Sequence, residues 1–269
     1  MPKWVSCSSR PDPELSTGSV FLGVIVLFTD FGTGGPYCGQ MKSVLAQRAP
    51  GVPVIDLFAD APRGDPFRSA YLLAAYAHSF PAGTVFLCVV DPGVGGPRKP
   101  VILSADGRVY VGPGNGLMEI VRRRARDEQW QEILWRPSVL SATFHGRDLF
   151  APVAADLAAA RQVALGHLPP DPEFAAWPDD LPEIIYIDWF GNAITGARAA
   201  EFGPGTILEV AGHRLPQMRT FSDVAPGEPF WYANTEGLVE VAVNGGRADH
   251  DLSIGIGDSV RFLQGSYNI

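Results

Sequence analysis

The sequence predicts an α/β protein in two units, a mostly parallel sheet covered by helices and then a smaller, mainly β region. Three observations carry this prediction. From Val20 onward, short β-branched runs alternate with longer amphipathic stretches, the pattern of parallel strands joined by helical crossovers. Residues 167–183 hold five prolines in 17 positions, a density that neither helix nor sheet continues through. Beyond them, short alternating segments are separated by Gly, Pro and Asn turns, as in antiparallel β domains.

In chain order, strands are expected at Leu22–Thr29, Val52–Leu57, Thr84–Val90, Val101–Ser104 and Arg108–Val111. Helices are expected at Tyr37–Ala49, Pro66–Ser79, Gly116–Ala125 and Gly146–Ala160. These elements make residues 19–166 a Rossmann-like unit, with helices flanking the sheet. Residues 167–183 read as a linker. Residues 184–269 read as a barrel-like β unit with strands at Ile184–Asp188, Thr206–Val210, Leu238–Val243 and Ser259–Leu263. Residues 1–18, rich in Ser and Pro, read as a disordered extension.

Composition narrows the function classes. At 269 residues and 46% apolar content the chain can bury more than one core. A net charge of −8 and a pI near 5.1 argue against a nucleic-acid partner, which would need clustered Lys and Arg. The one basic run, Arg122, Arg123, Arg124 and Arg126, reads as a solvated helix face. Cys7, Cys38 and Cys88 are odd in number and share no C-x-x-C spacing, so neither a disulfide framework nor a thiolate metal site is expected. That usage fits the cytoplasm. No apolar run approaches the ~20 residues that cross a bilayer, so no membrane partner is expected.

Four segments concentrate polar residues just after an apolar run, where open α/β sheets place ligands. In the first, Leu27 to Lys42, Asp30 leaves a strand and is followed by Gly32, Gly34 and Gly35. A carboxylate there either takes ribose hydroxyls or caps the next helix. No phosphate-cradling glycine motif accompanies it. In the second, Cys88 to Pro100, Asp91 ends a strand and Arg98 follows across a Gly-rich turn, as a catalytic or a structural ion pair. The third, Ser141 to Pro152, holds His145, Arg147 and Asp148 before an alanine-rich helix. The fourth, Tyr186 to Thr195, sets Asp188, Phe190 and Asn192 around a glycine turn, either a ligand-reading group or a plain β-turn. A later stretch, Trp231 to Gly246, reads equally as a hairpin.

The order of these segments is more specific than any one of them. TDFG…GPYCGQMK, VVDPGVGG…R, VGPGNG, SATFHGRDLFAP, DWFGN and NTEGLVEVAVN stand at Thr29–Lys42, Val89–Arg98, Val111–Gly116, Ser141–Pro152, Asp188–Asn192 and Asn234–Asn244. In this order they resemble the S-adenosylmethionine hydroxide adenosyltransferases, hydrolytic relatives of the halogenating enzymes that use the same substrate. The resemblance runs from Leu22 to the C-terminus.

It implies hydrolysis of S-adenosyl-L-methionine to adenosine and L-methionine, with no cofactor and no metal. It implies a catalytic group of Asp91, Arg98 and His145 around the attacking water. It places Asp30 on the ribose hydroxyls and Asp188 on the methionine ammonium, with Phe190 and Asn192 beside adenine. Tyr232 and Thr235 fall at the methionine end, and the backbone of Val243 and Gly245 falls at adenine. It also implies a homotrimer, with each site between the first unit of one subunit and the second unit of its neighbour.

Such a group suits the chemistry. The sulfonium is already activated and methionine leaves as a neutral thioether, so no general acid is required. Placing an oxygen nucleophile in line behind C5′ can by itself lower the barrier by roughly 7–11 kcal/mol. Arg98 would orient Asp91, while Asp91 and His145 would hold and deprotonate the water.

Three departures stand out. Gly114 replaces the family's usual acid, Thr235 the usual serine, and Glu236 stands where halogenating relatives carry an arginine on the substrate carboxylate. The alternatives are a halide-using enzyme of the same superfamily, a sensor that binds without turnover, and a metal-dependent hydrolase built on Asp30, Asp91, His145 and Asp148. The last lacks any close ligand spacing, and Arg98 would repel a cation.

Overall fold

A computed structural model describes residues 23–263. The expected extension at 1–18 lies outside them, as does Leu22. Strands β1 (Ile25–Thr29), β2 (Val54–Phe58), β3 (Val85–Val89), β4 (Pro100–Ala105), β5 (Arg108–Pro113), β6 (Glu128–Ile133) and β7 (Leu165–His167) form one sheet in the order β2-β1-β3-β5-β4-β6-β7. The β2-β1-β3-β5 half is parallel. The remaining pairings are antiparallel, so only β4 and β7 run against the other five strands.

Helices α1 (Tyr37–Arg48), α2 (Pro66–Ala77), α3 (Glu119–Arg124) and α4 (Ala151–Ala158) cover the two faces of this sheet. Side chains alternate across a strand, and β1 distributes them accordingly. Val26 and Phe28 enter a core that holds α2 and α3 residues such as Leu72 and Ile120. Ile25 and Leu27 face the opposite core, with Leu45 of α1 and Val153 of α4.

The expected helix Gly146–Ala160 begins as a π turn over Gly146–Phe150 before α4. The polar strand β6 was not expected; it pairs in full register with β4. Within 167–183, residues Pro172–Ala176 form a 3₁₀ turn and the next strand already starts at Leu181.

The second region is antiparallel. Strands β8 (Leu181–Ile187), β9 (Ala193–Arg198), β12 (Pro229–Ala233) and β13 (Leu238–Val243) form a sheet in the order β12-β13-β9-β8. A second sheet joins β10 (Ile207–Val210), β11 (His213–Leu215) and β14 (Arg261–Leu263) in the order β11-β10-β14. A short helix, α5 (Ala248–Asp251), follows β13.

Helix α2 is shared between the regions, touching β8 and β9 as well as its own sheet. Arg68 on α2 reaches Glu183 at 2.6 Å, and the Tyr71 hydroxyl donates to the Pro178 carbonyl at 2.6 Å. Among the described residues, no helix is long and apolar enough to cross a membrane.

Candidate active site

The strand order brings the first two acids together. Strands β1 and β3 are parallel neighbours with Thr29 paired to Val89, so Asp30 and Asp91 both emerge at the carboxyl edge of the sheet, where the connections diverge to either side. They line one cleft of about 510 Å³ with Phe31, Gly32, Tyr37, Arg63 and Pro92. The Gly64 N–H donates to Asp30 Oδ2 at 2.8 Å. Burial raises the Asp30 carboxyl above its ordinary value; the Gly64 N–H opposes the shift and the Asp91 charge adds to it.

A tight turn folds Arg98 back onto Asp91. Gly95 sits at φ +79, where a side chain would be strained, and a Cβ there would lie 2.5 Å from the Ala142 carbonyl. The close approach seats the turn against the segment that carries His145. Arg98 Nε donates to Asp91 Oδ1 and Oδ2 at 3.0 and 3.1 Å, and Nη2 closes a further short contact to Oδ2. The two side chains are only 10% and 5% exposed, so this is a buried pair with the fork geometry that suits Arg to carboxylate.

Arg98 Nη2 also lies 3.0 Å from His145 Nδ1. A guanidinium can only donate, so Nδ1 accepts and the neutral ring carries its proton on Nε2. Burial, followed by the Arg98 charge, lowers the His145 pKa below its ordinary value. The guanidinium stacks over Phe150 with 5.2 Å to the ring centroid. Asp148 turns elsewhere, accepting from Arg147 Nε at 2.6 Å and from the Ser141 N–H at 2.9 Å.

A second polar cluster lies on the β12-β13-β9-β8 sheet. Asp188 follows β8 and is bound by its own turn: the Asn192 N–H donates to Oδ1 at 2.8 Å and Asn192 Nδ2 donates to Oδ2 at 3.1 Å. Gly191 closes this turn at φ +84, and a Cβ there would meet Asp249 Oδ1 at 2.6 Å. Phe190 at the tip is 72% exposed and its neighbour Trp189 89%. On β12, the Tyr232 hydroxyl makes a short hydrogen bond to Glu240 of β13, and Asn234 Nδ2 donates to the same carboxylate at 3.1 Å. Thr235 is exposed. Val243 ends β13 buried, and Gly245 follows it at φ +72. The Glu236 carboxylate accepts from Ser79, with His78 at 3.7 Å, and its backbone N–H donates to Asn234 Oδ1 at 3.1 Å.

The chain therefore gathers Asp30, Asp91, Arg98 and His145 in one place and Asp188, Asn192 and Tyr232 in another. Among the described residues, no hydrogen bond or ion pair joins the two groups. Sequence reasoning passed over Arg63 in the cleft and Glu240 in the second cluster. Arg63 had the same signal as Asp30, a polar residue soon after a strand. Glu240 had another, a lone charge inside the apolar run LVEVAV.

Comparison with known proteins agrees with the order of motifs. Residues 25–166 match the SAM hydroxide adenosyltransferase N-terminal domain, and residues 182–261 match the C-terminal domain of the same family. The (R)-S-adenosyl-L-methionine hydrolase of Thermus thermophilus is 42% identical over 258 residues, covering 89% of this chain and 99% of its own. The enzyme of that name from Salinispora arenicola is 38% identical, covering 88% and 96%. A conserved protein of Thermotoga maritima, known from its crystal structure, superposes with a TM-score of 0.76 at 27% identity, covering 90% of this chain and 100% of that one. With both of the family's domains matched in order along one chain, this protein belongs to the SAM hydroxide adenosyltransferase family.

Proposed function

We propose that the protein hydrolyses S-adenosyl-L-methionine, in the (R)-sulfonium form for which its relatives are named, to adenosine and L-methionine. The observation that carries this reading is the buried Asp91–Arg98–His145 group beside Asp30 at the carboxyl edge of the first sheet. Water attacks the ribose C5′, the C5′–S bond breaks, and its electron pair leaves with methionine as a neutral thioether. One proton is released for each cationic substrate consumed.

In this scheme Asp30 takes the ribose hydroxyls. Asp91, locked in orientation by Arg98, faces the cleft as the acceptor for the water's proton. His145 has Nδ1 occupied by Arg98, so its Nε2–H holds the nucleophilic oxygen and the ring does not act as a second base. That narrows the expectation that both groups deprotonate the water. Asp188 takes the substrate ammonium, and Tyr232 and Thr235 hold the methionine end. Phe190, Asn192 and the backbone of Val243 and Gly245 border adenine.

We further read the assembly as a homotrimer with sites between subunits. The exposure of Trp189 and Phe190 on the Asp188 turn supports it. A Rossmann-like first unit and a barrel-like second unit belong to the same reading. Helices on both faces of the parallel strands support the former, and the Glu183–Ser259 and Gln217–Trp231 bridges support the latter. The free thiols of Cys38 and Cys88 suit the cytoplasm.

The test is incubation of purified protein with each sulfonium epimer in ¹⁸O-water, with and without halide. Adenosine labelled at O5′, formed independently of halide, is expected. A 5′-halo-adenosine, or binding without products, would overturn hydrolysis.

A further inference from the structure

Strand β13 is buried along its whole length, yet its sequence LVEVAV places a carboxylate in the middle. Val239, Val241 and Val243 point into the apolar core of the second region. Glu240 points the other way, directly opposite Tyr232 on β12 and Ile194 on β9. It is only 5% exposed, and burying a carboxylate is costly unless its charge is compensated. No Lys or Arg pairs with it among the described residues. Its partners are neutral donors: the Tyr232 hydroxyl, Asn234 Nδ2 at 3.1 Å and the Asn192 amide, which also serves Asp188.

Burial raises the Glu240 carboxyl above its ordinary value; its neutral donors oppose the shift and the charge of another anion, Asp188, adds to it. The Tyr76 phenol on α2 registers the same arrangement; burial and then Glu240, Glu236 and Asp188 push it up to about 12. The two carboxylates thus share the Asn192 amide, and among the described residues no cation pairs with Glu240. For the fold alone, an apolar side chain at position 240 would be better, because replacing buried charge with well-packed apolar groups is often neutral or stabilising.

We infer that Glu240 is a positioning residue of the methionine half-site, fixing Tyr232 and Asn234 and adding its charge to that of Asp188, which itself holds Asn192, for a substrate bearing an ammonium group. This rests on the hydrolase reading above. It adds a residue that touches no substrate atom yet sets both the shape and the sign of the half-site.

Glu240→Gln is the test, since it keeps the size and one acceptor oxygen and removes the charge. The KM for S-adenosylmethionine is expected to rise tenfold or more while kcat falls less than threefold. The affinity for adenosine, which has no ammonium, is expected to stay within twofold by calorimetry. An unchanged KM, or an equal loss for adenosine, overturns the inference.

Glu240→Asp, which keeps the charge but draws it back by one methylene from Tyr232 and Asn234, serves if the first variant fails to fold. It should raise the same KM three- to tenfold and leave adenosine binding alone; no change there is equally fatal. Turnover by the wild-type protein reports on the hydrolase reading separately. If the wild type binds but does not cleave, the comparison of substrate and adenosine affinities still decides the role of Glu240.

Discussion

The two polar clusters solve the problem of buried charge in opposite ways. At the carboxyl edge of the first sheet, Asp91 meets a guanidinium through three contacts, and the same guanidinium reaches on to His145. On the second sheet, Asp188 and Glu240 are surrounded by amides and phenols, with no such partner for Glu240. The first cluster is complete before substrate arrives, which suits groups that must orient a small nucleophile. The second is short of positive charge, which suits a surface that waits for a cationic ligand. Arg247 lies near Asp188 but is already held by Asp249 at 2.8 Å.

The largest expected effects test this contrast directly. Arg98→Met leaves Asp91 buried and unpaired, and breaking a buried pair costs about 3–5 kcal/mol. Calorimetry should therefore show a melting temperature far below wild type. Glu240→Gln, by contrast, should melt at or above the wild-type temperature while binding substrate more weakly. If both variants lose stability alike, the two clusters are not built differently. Asp91→Asn keeps the shape and should lower kcat by roughly 10²–10⁴-fold, the range for loss of a positioned proton acceptor. Single-turnover rates on that variant would check the assignment.

Within the first cluster, binding and turnover should separate. Asp30→Ala is expected to weaken any adenosine ligand, whereas His145→Ala should slow turnover and leave binding largely intact. Equal losses of affinity would merge the two roles.

The pH profile sharpens the same division. His145 lies below its ordinary value of 6.5, so its neutral form persists at neutral pH and kcat should fall on acidification below that value. There the imidazolium turns Nδ1–H toward Arg98. The corresponding stability is present above 6.5 and is lost as pH falls through the folded value. Asp30 lies above its ordinary 3.8, so KM should rise in a separate acid limb as that carboxylate is protonated. The folded state favours protonated Asp30, so this contribution to stability is present at low pH and lost as pH rises. In His145→Ala the kcat limb should vanish while the KM limb stays.

Much of the first region could be read in advance because its signals are local. β1 and β3 are continuous apolar runs, and an acid leaving such a run falls at the ligand edge whatever the details of packing. β6, EQWQEI, carries no apolar alternation; it becomes a strand because β4 offers it a ladder, which is a tertiary cause. Glu240 was hidden for a different reason. Its partners are Tyr232, Asn234 and Asn192, and only the hairpin register reveals that they converge on it.

The smallest expected effect concerns Gly114, where the family usually carries an acid. It follows β5, and its N–H donates to the Lys99 carbonyl at 2.7 Å. A Cβ at this position would sit 3.0 Å from that carbonyl oxygen and 3.0 Å from Val101 Cγ1. Both distances are tighter than ordinary contact, and the carbonyl belongs to the backbone just before β4. Restoring the acid as Gly114→Asp should therefore cost about 1–3 kcal/mol, the usual range for overpacking, and lower the melting temperature by several degrees. The position is anchored to β4 and lies outside both clusters, so kcat and KM should stay within twofold of wild type. A gain in stability would mean that β4 has room to shift, and that the glycine is not an adaptation to its packing. A large loss of turnover would instead tie this turn to the Asp91 group through Asn115, whose side-chain amide donates to the Val90 carbonyl at 2.9 Å, next to Asp91.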